Sequence, residues 1–181
     1  MTTDKITHFD KFGRLPGKPS ELLRLGLRAL ERIETDGNYR IDMRVWHKPQ
    51  KQSLSETLAA VFGKKPSGAK CSVCLAGSTL AKLLAAPVNK EVTMSSLPDD
   101  ETPALLALDF FRRGKVLMAF SALELLGFAQ TRQWLVETFP GNEKNLVPRG
   151  TLWIPDYDQD CPEEFYLALY GLADTLEDNG F

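Results

Sequence analysis

This sequence is short of cysteine and histidine, and it lacks an excess of charge of either sign. It has three cysteines and two histidines, and its 22 basic and 24 acidic residues leave a net charge of −2. Near-neutral charge removes the strongly basic footprint of a nucleic-acid binder. It also removes the large acidic excess that an imitation of nucleic acid would need. An odd number of cysteines, with no apolar leader in Met1–His8, points to reduced thiols in a cytosol rather than a disulfide framework. The longest apolar run, Val116 to Ala129, is about 14 residues and contains Glu124. A membrane span takes roughly 20, so this run reads as a core helix. Hydrolase and nucleotide-loop signatures are missing as well: there is no G-x-S-x-G, no H-E-x-x-H and no G-x-x-x-x-G-K-[ST], a spacing that Gly63-Lys64-Lys65 does not meet.

What the sequence does contain is helical periodicity. With 181 residues, 43% of them apolar and 25% charged, one well-buried globular domain is expected. Residues 1–18 read as an irregular lead-in. A helix then starts near Pro19, with Ser20 as its N-cap; Leu22, Leu23, Gly26, Leu27, Leu30 and Ile33 share one face, and Gly37-Asn38 stop it. Further helices are predicted from Ser53 or Ser55 to Phe62, over Cys71–Ala86, Ala104–Arg113, Lys115–Leu126, Thr131–Phe139 and Pro162–Glu177. A break falls at Gly114, a strand-like piece at Glu91–Met94 and a frayed end at 179–181. The fold class is therefore all-α: one compact domain over residues 19–178, with six or seven helices around a buried central helix at about 71–86 and little or no strand.

The Cys71–Ala86 segment carries Cys71 and Cys74 at CxxC spacing, is small or apolar nearly all round, and has Lys82 as its single charge. Read as a helix, it puts both thiols on one face. Zinc would want four ligands, and only His47 and Cys161 remain to complete a set with Cys71 and Cys74. A redox pair would follow a strand in a βαβ unit, which the pattern does not show. Packing is the preferred reading, with a zinc-stabilised domain (His47, Cys71, Cys74) as an alternative.

Arg40-Ile41-Asp42-Met43-Arg44-Val45-Trp46-His47, followed downstream by Cys71-Ser72-Val73-Cys74-Leu75-Ala76-Gly77, resembles a group of small uncharacterised proteins of tailed phages and prophage regions. Those pair a D-M-x-x-W segment with a C-[LI]-A-G helix start after an amphipathic first helix. The resemblance spans roughly residues 20 to 86, and this chain departs from it by inserting Lys51–Gly68 between the motifs. It implies a phage or mobile-element context and a helical scaffold, with no activity to carry over.

Other candidates lie elsewhere. Asp156, Asp158 and Asp160 alternate like the first half of a calcium loop, but Cys161 stands where glycine belongs and Leu167 where the bidentate glutamate belongs. Acids ahead of a helix also serve its N-terminus. His47, beside Trp46 and Asp42, has a pKa range suited to a general base, though nothing in the pattern accompanies it. Arg112, Arg113 and Lys115 cluster at a helix end and offer a phosphate or nucleotide site. Tyr166 and Tyr170 make a strip that suits either a core edge or an interface. The expectation is a non-enzymatic phage-type accessory protein in the cytoplasm of a bacterial host. It needs no cofactor, membrane or nucleic acid, and it binds and modulates a host or antiviral-defence protein through Trp153, Asp156, Tyr157, Asp158 and Asp160. The alternatives are nucleotide sequestration by Arg112, Arg113 and Lys115, or the zinc domain.

Overall fold

The computed structural model describes residues 15–51, 62, 68–93, 96–97, 99–128, 132–139 and 152–181. The expected lead-in up to Arg14, the helix from Ser53 or Ser55 and the stretch 140–151 lie outside the described residues. Those described hold six helices: α1 Pro19–Glu34, α2 Leu75–Lys82, α3 Thr102–Phe111, α4 Val116–Glu124, α5 Arg132–Thr138 and α6 Glu163–Asp178. Three short strands accompany them, β1 Tyr39–Ile41, β2 His47–Pro49 and β3 Cys71–Val73, in the order β1-β3-β2. The chain is thus mostly helical, as expected, and this small sheet is the minor strand content among the described residues. No helix among the described residues is long and apolar enough to cross a membrane.

α1 buries Leu22, Leu23, Gly26, Leu27, Leu30 and Ile33, as its 3.6-residue spacing requires. Its start differs from expectation by a residue or two. Pro19 opens the helix, because fixed φ and a missing N–H cost nothing there, and Lys18 is the N-cap. Ser20 is freed to donate its hydroxyl to the Phe181 carbonyl. The helices expected at 104–113, 115–126, 131–139 and 162–177 appear as α3, α4, α5 and α6, shifted by one or two residues. Gly114, at φ +68°, makes the break between α3 and α4. Residues 179–181 do not fray: Phe181 packs at 4.7 Å from Trp134 and 5.1 Å from Phe120 between ring centroids, and its N–H bonds the Leu176 carbonyl at 2.9 Å.

The predicted Cys71–Ala86 helix is corrected most. Cys71–Val73 is a strand, Cys74 is the N-cap, and the helix runs only from Leu75 to Lys82. Cysteine, serine and valine are mediocre helix formers, and here both ladder edges of the segment are filled. β3 pairs parallel with β1 (Tyr39↔Cys71, Ile41↔Val73) and antiparallel with β2 (His47↔Val73, Pro49↔Cys71). On extended backbone, residues three apart point to opposite faces. Cys71 accordingly joins a small cluster with Ile33 and Val73, while Cys74 joins the main core. Of the strand-like piece at Glu91–Met94, the described residues 91–93 hold one bridge, His47↔Val92, and Met94 lies outside the described residues.

Close approach fixes the sheet on α2. A Cβ on Gly77 would lie 1.4 Å from the Trp46 carbonyl oxygen, and that oxygen also accepts the Cys74 N–H at 3.3 Å. Gly171, within α6, has open space where a Cβ would go. The two glycines therefore predict opposite outcomes in denaturant unfolding. Gly77→Ala should lower stability by about 3 kcal/mol, the upper range for overpacking, despite alanine's better helix propensity. Gly171→Ala should raise it by about 0.5–1 kcal/mol. Equal effects at the two positions would contradict the packing described.

Candidate functional site

Residues 152–162 cross the surface without regular structure and are tied down at three points. At the start, Leu152 donates its N–H to the Gly114 carbonyl, and a Cβ on Gly114 would lie 1.5 Å from the Leu152 oxygen. Glycine is thus needed there for space as well as for its positive φ. In the middle, the Tyr157 ring meets Phe165 at 5.5 Å and Tyr166 at 6.4 Å, and its hydroxyl donates to Glu34 of α1. At the end, Pro162 caps α6, with Glu163 and Glu164 in the first turn, where carboxylates suit the helix dipole.

Between these ties the segment presents its polar groups outward. Trp153 is 79% exposed, and Leu167, on the first turns of α6, 77%. Asp156, Asp158 and Asp160 are exposed; Asp158 accepts the Asp160 N–H at 3.0 Å, a turn contact that leaves carboxylate oxygens facing water. A broad concavity of about 610 Å³ is lined by Asp156, Tyr157, Asp158, Gln159, Cys161 and Glu164. Beside it, a groove of about 220 Å³ runs between this segment and β1, lined by Ile33, Glu34, Tyr39, Arg40, Ile41, Tyr157, Gln159 and Pro162. Tyr166 and Tyr170 continue the aromatic wall as a stacked pair. Burial and the α1 glutamates push the Tyr157 and Tyr166 hydroxyls well above the usual range and Tyr170 to about 12, so all three stay protonated, while the buried Tyr166 hydroxyl has no hydrogen-bond partner among the described residues. Tyr170 donates to Glu31 at 2.8 Å. The exposed Cys161 thiol is held above its ordinary pKa by Glu163, whose carboxylate accepts from it, so it is a poor nucleophile.

The whole-chain charge concealed a feature that a segment count would have revealed. All 22 lysines and arginines lie at or before Arg149, whereas residues 150–181 carry eight of the 24 carboxylates and no cation. Folding neutralises only part of that segment: Arg24 of α1 reaches Asp174 and Glu177, both at 2.6 Å. Among the described residues, Asp156, Asp158, Asp160, Glu163 and Glu164 have no cation within ion-pair distance. The acidic excess that net charge ruled out for the whole molecule is present on one face of it.

The other sequence candidates fall in different places. His47 and Cys71 are both fully buried and in contact, with Sγ 3.5 and 3.6 Å from the two ring nitrogens. Nδ1 lies 2.9 Å from the Lys90 carbonyl oxygen, which only accepts, so Nδ1 carries the proton. Burial depresses the His47 pKa and pushes the Cys71 thiol up to about 11. Both groups are therefore neutral near pH 7, with neither thiolate nor imidazolium formed. Cys74, on the opposite face of the strand, does not join them, which separates the expected His47, Cys71, Cys74 ligand set. No group of three His, Cys, Asp or Glu side chains among the described residues is placed to hold a metal.

Arg112 and Arg113 both grip Asp109, at 2.7 and 2.9 Å, and the Asp109 side chain is only 8% exposed. Two guanidinium groups closing on one buried carboxylate form a clasp at the end of α3, and that carboxylate would repel a phosphate. Lys115 follows as the N-cap of α4, with its N–H bonded to the Phe110 carbonyl at 2.9 Å.

His47 generates a pH prediction. Its folded-state pKa lies below the ordinary 6.5, so the neutral ring stabilises the fold above about pH 6.5. That contribution is lost as pH falls below 6.5, at up to about 1.4 kcal/mol per unit until the folded-state pKa is reached. Thermal unfolding should show the midpoint dropping between pH 7 and 5.5, and His47→Asn should flatten the drop; an unchanged slope in the variant would contradict the assignment. Comparison of the chain with protein-family models, with curated proteins and with solved structures found no match.

Proposed function

We propose that this chain is a non-enzymatic binding protein, an accessory factor of phage type that docks on a host or antiviral-defence protein in a bacterial cytoplasm and modulates, most simply inhibits, it. Trp153, Asp156, Tyr157, Asp158 and Asp160 form the contact surface. One observation carries this reading: a highly exposed tryptophan sits at the edge of a face whose five carboxylates, from Asp156 to Glu164, have no cationic partner among the described residues. An aromatic anchor ringed by charge is the composition of an interaction hot spot. Uncompensated carboxylates draw a basic partner by long-range attraction. The partner's surface is therefore cationic. The phage context and the host or defence target rest on the motif resemblance at residues 42–46 and 74–77.

Catalysis is the weaker reading, because the buried thiol–imidazole contact holds both groups neutral and sealed from substrate. Nucleotide sequestration through Arg112, Arg113 and Lys115 is disfavoured by Asp109, which already engages the two arginines. A zinc domain built on His47, Cys71 and Cys74 is disfavoured by the opposite facing of the two thiols.

Capture from bacterial lysate by tagged protein, read by mass spectrometry, tests this with two variants. Trp153→Ala should weaken the captured complex by at least roughly tenfold, as loss of a hot-spot aromatic does. The triple variant D156N/D158N/D160N should slow association and reduce its dependence on salt. Both should unfold like the parent, since all these side chains except the unaltered Tyr157 are exposed. A partner that binds both variants as it binds the parent would overturn the proposal.

A further inference from the structure

The small sheet has an unfilled side, and it faces the acidic segment. β1 is an outer strand, paired on one side only, with β3. The ladder contacts show which of its backbone groups are spent: the Asn38 carbonyl accepts the Cys71 N–H at 3.1 Å, and the Asp42 N–H donates to the Val73 carbonyl at 2.9 Å. In a parallel ladder, alternate residues bond to the same neighbour. Residues 38, 40 and 42 therefore turn their backbone toward β3, and Tyr39 and Ile41 turn theirs away. The Tyr39 N–H goes to the Asp36 carbonyl at 2.9 Å. The Tyr39 carbonyl and the Ile41 N–H and carbonyl have no hydrogen-bond partner among the described residues. They border the groove of about 220 Å³ whose opposite wall is Tyr157, Gln159 and Pro162.

We infer that this groove takes an extended cationic segment of a partner protein, which adds to β1 as a fourth strand. The inference rests on the binding reading above and names the partner's chemistry and mode. Backbone pairing to Tyr39 and Ile41 supplies register, as in strand addition at other open sheet edges. Charge selects the occupant. Glu34 stands in the groove, whose lining holds one cation, Arg40; Asp156, Asp158 and Glu164 line the adjoining concavity, which shares Tyr157 and Gln159 with it, and Lys82, over the Tyr39 ring, is ion-paired with Asp36. Tyr157 belongs to both concavities, so a strand in the groove would carry its side chains into the acidic one.

The test uses the full chain and a defined probe, the peptide acetyl-Lys-Val-Arg-Val-Lys-amide, titrated against ¹⁵N-labelled protein. Binding should shift the Ile41 amide and slow its hydrogen exchange at least tenfold. N-methylation of the peptide at its central arginine, and separately at both valines, tests the pairing itself, because in a strand only one of these sets points at β1. One methylated peptide should lose at least tenfold in affinity and the other should bind like the parent. D156N/D158N/D160N should weaken the unmethylated peptide several-fold, and Arg40→Ser should tighten it. Equal binding of the two methylated peptides, an Ile41 amide that exchanges unchanged, or no binding at about 1 mM peptide would overturn strand addition. The binding reading would survive those results if capture of a partner still depended on Trp153 and the three aspartates. Conversely, Ile41 protection that persists undiminished in the triple variant would keep the strand site and remove the acidic face from it.

Discussion

The contact on which this fold depends is the seating of the Trp46 carbonyl against Gly77. There the chain passes from the small sheet to the central helix, at a separation no side chain tolerates. The oxygen lies over the first turn of α2, where backbone N–H groups lack partners within the helix, and accepts one of them from Cys74. β2 is thereby clamped to α2, β3 is trapped between β2 and β1, and α2 is pressed into α1. The Asp42–Trp46 and Cys74–Gly77 segments are in this way the two halves of one joint. Asp42 reinforces it by donating its N–H to Val73, while Arg44 holds its carboxyl near pKa 2.

The acidic segment and the last helix are mounted on that joint at one remove. α6 lies along α1, and Arg24 ties its acidic end down. The segment leading into α6 hangs between Gly114 and Pro162, with Tyr157 pinned to Glu34. Asp174 and Glu177 are ion-paired with Arg24; Glu163 and Glu164 serve the helix dipole at the start of α6, and Asp156, Asp158 and Asp160 face solvent. A protein gains little stability from carboxylates crowded on one face, because like charges repel. Their placement beside an exposed tryptophan and an open strand edge is what the binding proposal rests on.

How much of this was legible in the sequence follows from how local each signal is. α1 and α6 were readable because a long amphipathic period is a property of the segment itself, and the break at Gly114 because only glycine serves that backbone. The thiol segment was not. Three residues of strand carry no periodicity, and what makes Cys71–Val73 extended is pairing with chain 22 to 32 residues earlier, which no window contains. From that one error came the expectation that Cys71 and Cys74 share a face. The aspartates and Trp153 were visible as exposed residues of a turn-rich stretch, whereas the outer edge of β1 is visible only once strand order is known. Net charge misled in a different way, since it averages a cation-rich first part against an anionic last 32 residues.

The most direct measurement of the central claim is a hydrogen-exchange footprint of the chain in complex with the partner it captures, compared with the free protein. The account predicts protection concentrated in two stretches distant in sequence, residues 39–41 and 152–166, with the α3–α4 turn around Arg112 and Arg113 unchanged. Protection centred on that turn, with 39–41 and 152–166 exchanging as in the free chain, would contradict it.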